Sequence, residues 1–400
     1  MLRRMHLVAI LLTLAACAAE IRPVRLDELP ESLRDAAWLA DLERSTAERL
    51  RDGEWDHVIH YVLQSKRFTA LPPLEPAGSA RIWKQSQRIP TDAARRMEAF
   101  LASPASGERH IAMRRMAESL IQLQREYRRV MDFLYRKEWE SRTLEPSRRA
   151  GHVAALYQSR GHSTDTELWA SYSTDTGLRI LKGIDPKKKV RRVLLVGPGL
   201  DWAPRTGMRQ DAPVQSYQPY LLADSLFRLG LASIDDLRID CADVNPRVVD
   251  HIRNFAARKQ RLQLHEAPGD PDWQAYYAHA GKAAGTRQGP DLIVHPHVAQ
   301  LVRARKMNIL TERVVDPAYD LAIATNVLLY FNDRELGLAL ANITHALATN
   351  GHLLHNDPRP AAESWGHQLL WPVIHTRTHA LGGGTGLFDT LVLHAAGAKR

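Results

Sequence analysis

The chain has 400 residues, a formal net charge of +9, 44% hydrophobic and 25% charged side chains, which suits a globular protein large enough for two cores. The basic balance alone is compatible with nucleic acid or an anionic membrane, but the basic residues are dispersed. The densest run, Lys187–Lys189 with Arg191 and Arg192, reads as a solvated approach to a buried strand, and no nucleic-acid partner is expected.

At the N-terminus, Arg3 and Arg4 precede an apolar stretch from Leu7 to Ala16 interrupted by Thr13. It falls short of the ~20 residues of a spanning helix and has the length of a signal-peptide apolar region. The stretch ends Leu14-Ala15-Ala16-Cys17, which resembles a bacterial lipoprotein signal with its lipobox. The resemblance implies a lipidated Cys17, export to the periplasmic side and membrane contact through the acyl chains. A plain secretory signal cut after small residues is the alternative. Either way Cys241 is left as the second cysteine and reads as a small buried hydrophobe.

Residues 18–165 carry helical patterning. Leu33 to Arg51 and Trp55 to Leu63 have apolar residues at helical spacing, and Leu71-Pro-Pro-Leu-Glu-Pro76 is a rigid break. A long helix is expected from Glu108 to Glu140, with Ile111, Met116, Leu120, Leu123, Tyr127, Val130 and Leu134 on one face. Its interleaved arginines, Arg125 and Arg128 among them, read as a solvated face.

From 166 to 400 the texture becomes alternating strands and helices. Strands are expected at 192–196, 237–242, 262–265, 292–295, 319–325, 351–355 and 389–394, and helices at 218–229, 246–258 and 334–348. That succession argues for a doubly wound α/β sheet preceded by a helical N-terminal domain. The Gly382–Gly386 run reads as a hairpin connection.

The chemistry-bearing residues gather at strand ends. The apolar run Val193 to Val196 breaks into Gly197-Pro198-Gly199, a turn where the backbone can approach a ligand. Asp243 follows the second strand, where nucleotide-binding α/β folds place an acid against ribose hydroxyls. Asn245-Pro246 then supplies a cap and a first helical turn. Asn326 ends a later strand, with Tyr330 and Phe331 just beyond it.

Together Leu194-Leu-Val-Gly-Pro-Gly199, Asp243, and Tyr319 to Phe331 followed by Ala339 to Leu354 resemble a class I S-adenosylmethionine-dependent methyltransferase, similar over residues 190–357 to the CheR type. The resemblance implies a Rossmann-like methyltransferase sheet and S-adenosylmethionine as cofactor. It implies cofactor contacts from Gly197, Gly199, Asp201, Asp243 and Asn326, and methyl transfer by positioning. The acceptor, a small molecule or a protein, and the oligomeric state stay open. Leu195 stands where the family has an acid, Asp201 where it has a third glycine, Thr325 where the CheR type has Arg, and Asn350 where it has the first of two glycines. Asp201 disfavours the pyrophosphate of a dinucleotide, the rival cofactor, by charge. A second function class is an exported, lipid-anchored binding or scaffolding protein that keeps the fold without the reaction.

His295, His297, His352, His355, His375 and His379 lack a Cys or carboxylate at ligand spacing, so no metal is expected. No Gly-x-Ser-x-Gly elbow is present.

Overall fold

The computed structural model describes residues 20–202, 213–257, 260–265, 270–316, 319–369, 373–381 and 388–396. The N-terminal segment with Cys17, where an export signal is expected, and the Gly382–Gly386 run lie outside the described residues.

The chain opens with a short strand, β1 (Ile21–Pro23), and helix α1 (Ala36–Gln64). The Asp35 side chain caps α1 by accepting the Trp38 N–H at 2.9 Å. The two apolar stretches expected here are therefore one helix that runs through Gly53. Mid-helix glycine costs roughly 1 kcal/mol relative to alanine, and here it admits a backbone approach described below. Beyond the proline break come α2 (Pro76–Ser86) and α3 (Thr91–Ala102).

The long helix expected from 108 to 140 is divided. The structure has α4 (Glu108–Met116) and α5 (Leu120–Tyr135), followed by a wider π turn at 136–140. The interruption is a capping box: Ser119 Oγ accepts the Gln122 N–H at 3.3 Å and Gln122 Oε1 accepts the Ser119 N–H at 3.2 Å. These bonds satisfy donors that continuous helix would have bonded internally. The apolar face survives the break, since Leu123, Tyr127, Val130 and Leu134 are buried, while Arg125 and Arg128 are exposed. Helices α6 (Pro146–Ser159) and α7 (Leu168–Ile184) complete the helical part.

The remaining chain folds into β2 (Arg192–Val196), α8 (Gln218–Arg228), β3 (Arg238–Asp243), α9 (Pro246–Phe255) and β4 (Arg261–Gln263). There follow α10 (Pro271–His279), β5 (Gly285–Gln288), β6 (Asp291–Val294), α11 (Pro296–Leu301), β7 (Val302–Lys306) and β8 (Glu312–Val314). The chain ends with β9 (Tyr319–Ala324), α12 (Asp333–Ala346), β10 (Leu347–His355), α13 (Pro360–Gln368), β11 (Val373–Ala380) and β12 (Phe388–Ala395).

Seven strands form one sheet in the order β7-β3-β2-β9-β10-β12-β11. The first five are parallel, and β12 runs antiparallel to both β10 and β11. This is the doubly wound α/β sheet the sequence leads one to expect, with helices preceding it. The winding reverses between β2 and β9, which opens a crevice at their carboxyl ends.

Strand β2 shows why four apolar residues stand in a row. Val193 and Leu195 join a core shared with the helical part, including Val58 and Leu123, while Leu194 and Val196 join a second core against α12. A strand covered on both faces has no polar side to show. Cys241, on β3, is buried, and burial pushes its thiol up.

Two strand expectations need correction. Leu262–His265 and Leu292–His295 do not extend the main sheet; their cores, β4 and β6, pair with each other, and β6 also pairs with β5, in a separate antiparallel sheet. The third parallel strand is instead β7, Val-Arg-Ala-Arg-Lys, on the sheet's edge. An edge strand needs few apolar residues, so its charges hid it. The first few described residues also depart from the helical expectation, since β1 pairs with β8.

Candidate functional site

A cleft enclosing about 780 Å³, part of it open to solvent, lies at the carboxyl ends of β2, β3, β7 and β9. That size is within the range of small-molecule sites.

The glycine turn forms its floor. Gly197 and Gly199 both adopt left-handed backbone, with φ of +65° and +66°. Gly197 N–H donates to the Ala242 carbonyl at 2.8 Å, continuing the β2–β3 ladder. Close packing also demands glycine: a Cβ on Gly197 would lie 2.4 Å from Val327 Cγ2, and one on Gly199 would lie 2.8 Å from the Thr164 carbonyl oxygen. The segment approaching Gly199 belongs to the protein itself. Leu200 N–H donates to Thr164 O at 2.7 Å, and Thr166 N–H donates to Leu200 O at 3.1 Å. The link between α6 and α7 thus runs along the turn and lines the cleft through residues 162–166.

Asp243 stands on the cleft wall at the end of β3. Its carboxyl accepts the Asn245 N–H at 2.8 Å and a bond from the Gly199 N–H. Burial pushes it up to about 7, the two N–H groups act the other way, and the charge of Glu54 adds to the rise. Glu54 arrives from α1: Oε1 accepts from Asn245 Nδ2 at 2.9 Å, and Oε2 pairs with Arg247 at 2.8 Å. The helical part is therefore bonded directly to the loop that carries Asp243.

Asn326 lines the cleft beyond β9 with φ of +60°. Its N–H donates to Asn356 Oδ1 at 2.8 Å and its Oδ1 accepts from Asn356 Nδ2 at 2.7 Å. Asn356 Nδ2 also donates to Asp389 Oδ1 at 3.1 Å. Tyr330 and Phe331 line the same end. Tyr330 also packs its ring on Tyr157 and His162, so it serves wall and core together.

Asp201 is placed elsewhere. It is buried below the turn and is not among the lining residues. Its Oδ2 accepts from the Tyr217 hydroxyl at 2.5 Å and from Gln215 Nε2 at 3.4 Å, and His265 Nε2 lies 3.6 Å away. Its carbonyl accepts from Arg109 at 2.8 Å. The structure therefore brings Gly197, Gly199, Asp243 and Asn326 to one cleft and makes Asp201 a support beneath it.

Several lining residues escaped the sequence reading. Thr46 and Leu50 come from α1, His162 to Thr166 from the α6–α7 link, and Met307, Asn308 and Ile309 follow β7. Recognising β7 as the third strand would have exposed Met307–Ile309; no sequence signal marks the others. His162 is held by its N–H bond to the Arg49 carbonyl at 2.7 Å. Burial, with Arg49 adding to it, pushes its imidazole down to about 3, so the ring is neutral at physiological pH. Thr325 Oγ1 and Gln218 Oε1 are buried in the wall without a hydrogen-bond partner among the described residues. Neither Lys nor Arg occurs among the described lining residues, whereas Asp165 and Asp243 both do.

Among the described residues, no three His, Cys, Asp or Glu side chains gather as a metal site.

No protein-family model matches the sequence, and no curated protein matches it. Among solved structures, the chain is similar to the N-methyltransferase NodS from Bradyrhizobium japonicum in complex with S-adenosyl-L-homocysteine. Identity is 13%, the match covers 58% of this chain and 90% of that one, and the TM-score is 0.32. It is also similar to a TehB-like SAM-dependent methyltransferase from Corynebacterium glutamicum, at 12% identity, 65% and 98% coverage and a TM-score of 0.30. A third is magnesium protoporphyrin IX methyltransferase from Synechocystis with bound SAM, at 9% identity, 65% and 93% coverage and a TM-score of 0.32. The fold assignment rests on the strand order itself: five parallel strands, a reversal between β2 and β9, and an inserted antiparallel strand β12.

Proposed function

We propose that the cleft binds S-adenosylmethionine and that the chain is an S-adenosylmethionine-dependent methyltransferase. The observation that carries this reading is Asp243: an acid at the end of β3, beside the left-handed Gly197–Gly199 turn, at the reversal of strand order. An acceptor there meets the hydroxyls of a ribose. Charge separates the two candidate cofactors. A pyrophosphate is doubly anionic and calls for cations or a helix N-terminus; the described wall has two carboxylates and neither Lys nor Arg. A ligand carrying a sulfonium and an ammonium suits that wall. Thr325 Oγ1 and Gln218 Oε1 are further groups that a polar ligand would satisfy.

Bound there, the cofactor would supply an electrophilic methyl group. The chain's own part is to hold it and the acceptor in line, and positioning of that kind lowers a barrier by as much as ~7–11 kcal/mol. Tyr330, Phe331 and the neutral His162 line the cleft where an acceptor would enter. The CheR-type resemblance over residues 190–357 supports the site, and the acceptor is a separate question.

Calorimetric titration of the purified full chain with S-adenosylhomocysteine tests the reading. Saturable binding is expected, weakened at least about tenfold by Asp243→Ala through loss of charged hydrogen bonds. Absence of both heat and thermal stabilisation in the wild-type chain overturns it.

A further inference from the structure

One part of the cleft wall is aromatic. Tyr330 and Phe331, which follow β9, and His162, from the α6–α7 link, all line the cleft. The imidazole packs on both of the other rings, with centroids 5.6 Å from Tyr330 and 6.1 Å from Phe331.

The backbone at His162 is fixed on two sides. Its N–H donates to the Arg49 carbonyl at 2.7 Å, and its own carbonyl lies so close to Gly53 that a Cβ there would sit 1.7 Å from the oxygen. Its Nε2 is nevertheless buried without a hydrogen-bond partner among the described residues. Folded proteins pair nearly all such atoms, so one left open on a cleft wall points to a ligand.

The chemistry of the ring limits what that ligand is. Burial, with Arg49 adding to it, pushes the imidazole down to about 3 and keeps it neutral. So weak a base is a poor proton acceptor at neutral pH, and its part is to bind rather than to deprotonate. A neutral ring offers one hydrogen bond at Nε2, as donor or as acceptor according to its tautomer. A hydroxyl satisfies either tautomer, because it both donates and accepts. A carboxylate satisfies only one, and it brings a charge that a neutral ring does not offset. Neither Lys nor Arg among the described lining residues would offset it. Arg49, behind the ring, is already engaged: it pairs with Glu335 at 3.4 Å and donates to the carbonyls of Gln158, at 3.1 Å, and Tyr330.

We infer that His162 Nε2 hydrogen-bonds an uncharged hydroxyl on a planar, aromatic methyl acceptor whose ring lies against Tyr330 and Phe331, an inference that rests on the S-adenosyl reading of the cleft. His162 is then a specificity-determining residue, and it selects against a carboxylate at the same position. The residue comes from the helical part of the chain, so acceptor choice is built outside the sheet.

Phenol and benzoate are the probes, since they present the same ring with a hydroxyl or a carboxylate. With the full chain saturated by S-adenosylhomocysteine, ligand-observed NMR titration is expected to show saturable phenol binding, with benzoate weaker by about tenfold or more. His162→Phe keeps a ring and removes the hydrogen bond, and it is expected to weaken phenol by about threefold to tenfold. His162→Gln, which restores a polar group, is expected to recover part of that loss. The affinity for S-adenosylhomocysteine is expected to stay within about twofold in both variants, which shows that they are folded. The comparison of phenol with benzoate needs no variant and decides the matter even if a substitution unfolds the chain. Benzoate bound as tightly as phenol, phenol binding unchanged by His162→Phe, or no phenol binding at all overturns the inference while the cofactor reading stands. Failure of the wild-type chain to bind S-adenosylhomocysteine removes the cofactor reading, and the acceptor role of His162 with it.

Discussion

Gly53 and His162 touch backbone to backbone: a Cβ placed on Gly53 would lie 1.7 Å from the His162 carbonyl oxygen. Helix α1 meets the α6–α7 link at this point, and the residues that follow His162 line the cleft. Gly53→Ala must push the link away or distort the helix. A loss of about 2–3 kcal/mol is expected, in the range of overpacked cores, together with weaker ligand binding. Gly151→Ala is the control. No atom lies within 4 Å of a Cβ there, and the residue is in a helix, so a gain of up to about 1 kcal/mol is expected. Urea denaturation measures both.

Asp243 makes the stability of the ligand-free protein depend on pH. Its carboxyl is pushed from the ordinary 3.8 up to about 7 in the folded chain. Between those values the folded state holds a proton that the unfolded state has released, so stability falls as pH rises through the window. Asp243→Asn removes that slope. Relative to wild type it is expected to gain stability from about pH 4 to pH 7 and to hold a constant difference above. Unfolding free energies at pH 4.5, 6 and 8 check the sign. Glu54→Gln, by removing a charge that raises the Asp243 carboxyl, is expected to move the window to lower pH.

Asn326 sits in left-handed backbone with φ of +60°. Asn326→Gly is expected to be tolerated for folding, whereas Asn326→Val is expected to cost about 1–2 kcal/mol, because a β-branched side chain crowds the backbone there. Asn356→Ala removes both bonds that hold Asn326, so a ligand affinity nearer to that of Asn326→Gly than to wild type is expected. Thermal unfolding and calorimetric titration measure these.

The first seventeen residues raise the question of compartment. We propose that Cys17 ends an export signal and is lipidated. Wild-type protein is then expected in the membrane fraction, labelled by a palmitate analogue, while Cys17→Ser is expected to lose the label. Cytoplasmic wild-type protein without label would overturn the proposal and would place the cleft in the compartment where S-adenosylmethionine is made.

Much of the main sheet was legible because burial on two faces leaves a plain signature. Val193 to Val196 read as a core strand, and the structure divides them between two cores. Asn245-Pro246 read as a helix start, and Asn245 does accept the Arg247 N–H at 3.0 Å. The glycine turn, Asp243 and Asn326 read as neighbours, since strand ends in a parallel sheet converge on one edge. The edge strands β7 and β11 were not legible: one is Val-Arg-Ala-Arg-Lys and the other Val-Ile-His-Thr-Arg-Thr-His-Ala, and solvent on an edge relaxes the demand for apolar residues. The strand assignments made in their place fell on β4 and β6, apolar enough to resemble core strands.

Sequence by itself determined the order of elements, the buried strands and the residues placed at their ends, because these follow from local periodicity and backbone preference. Tertiary structure alone decided which other residues reach the cleft. Asp165, which lines the cleft, and Glu54, which bonds the loop after Asp243, lie far from the sheet in sequence. They meet it only because Gly53 lets α1 approach His162 and because Gly199 lets the α6–α7 link lie on the turn. Asp201, beside the glycine turn in sequence, is directed away from the cleft by its bond to Tyr217. Proximity along the chain sets local conformation; the desolvation and pairing of charges depend on contacts that only the folded chain makes.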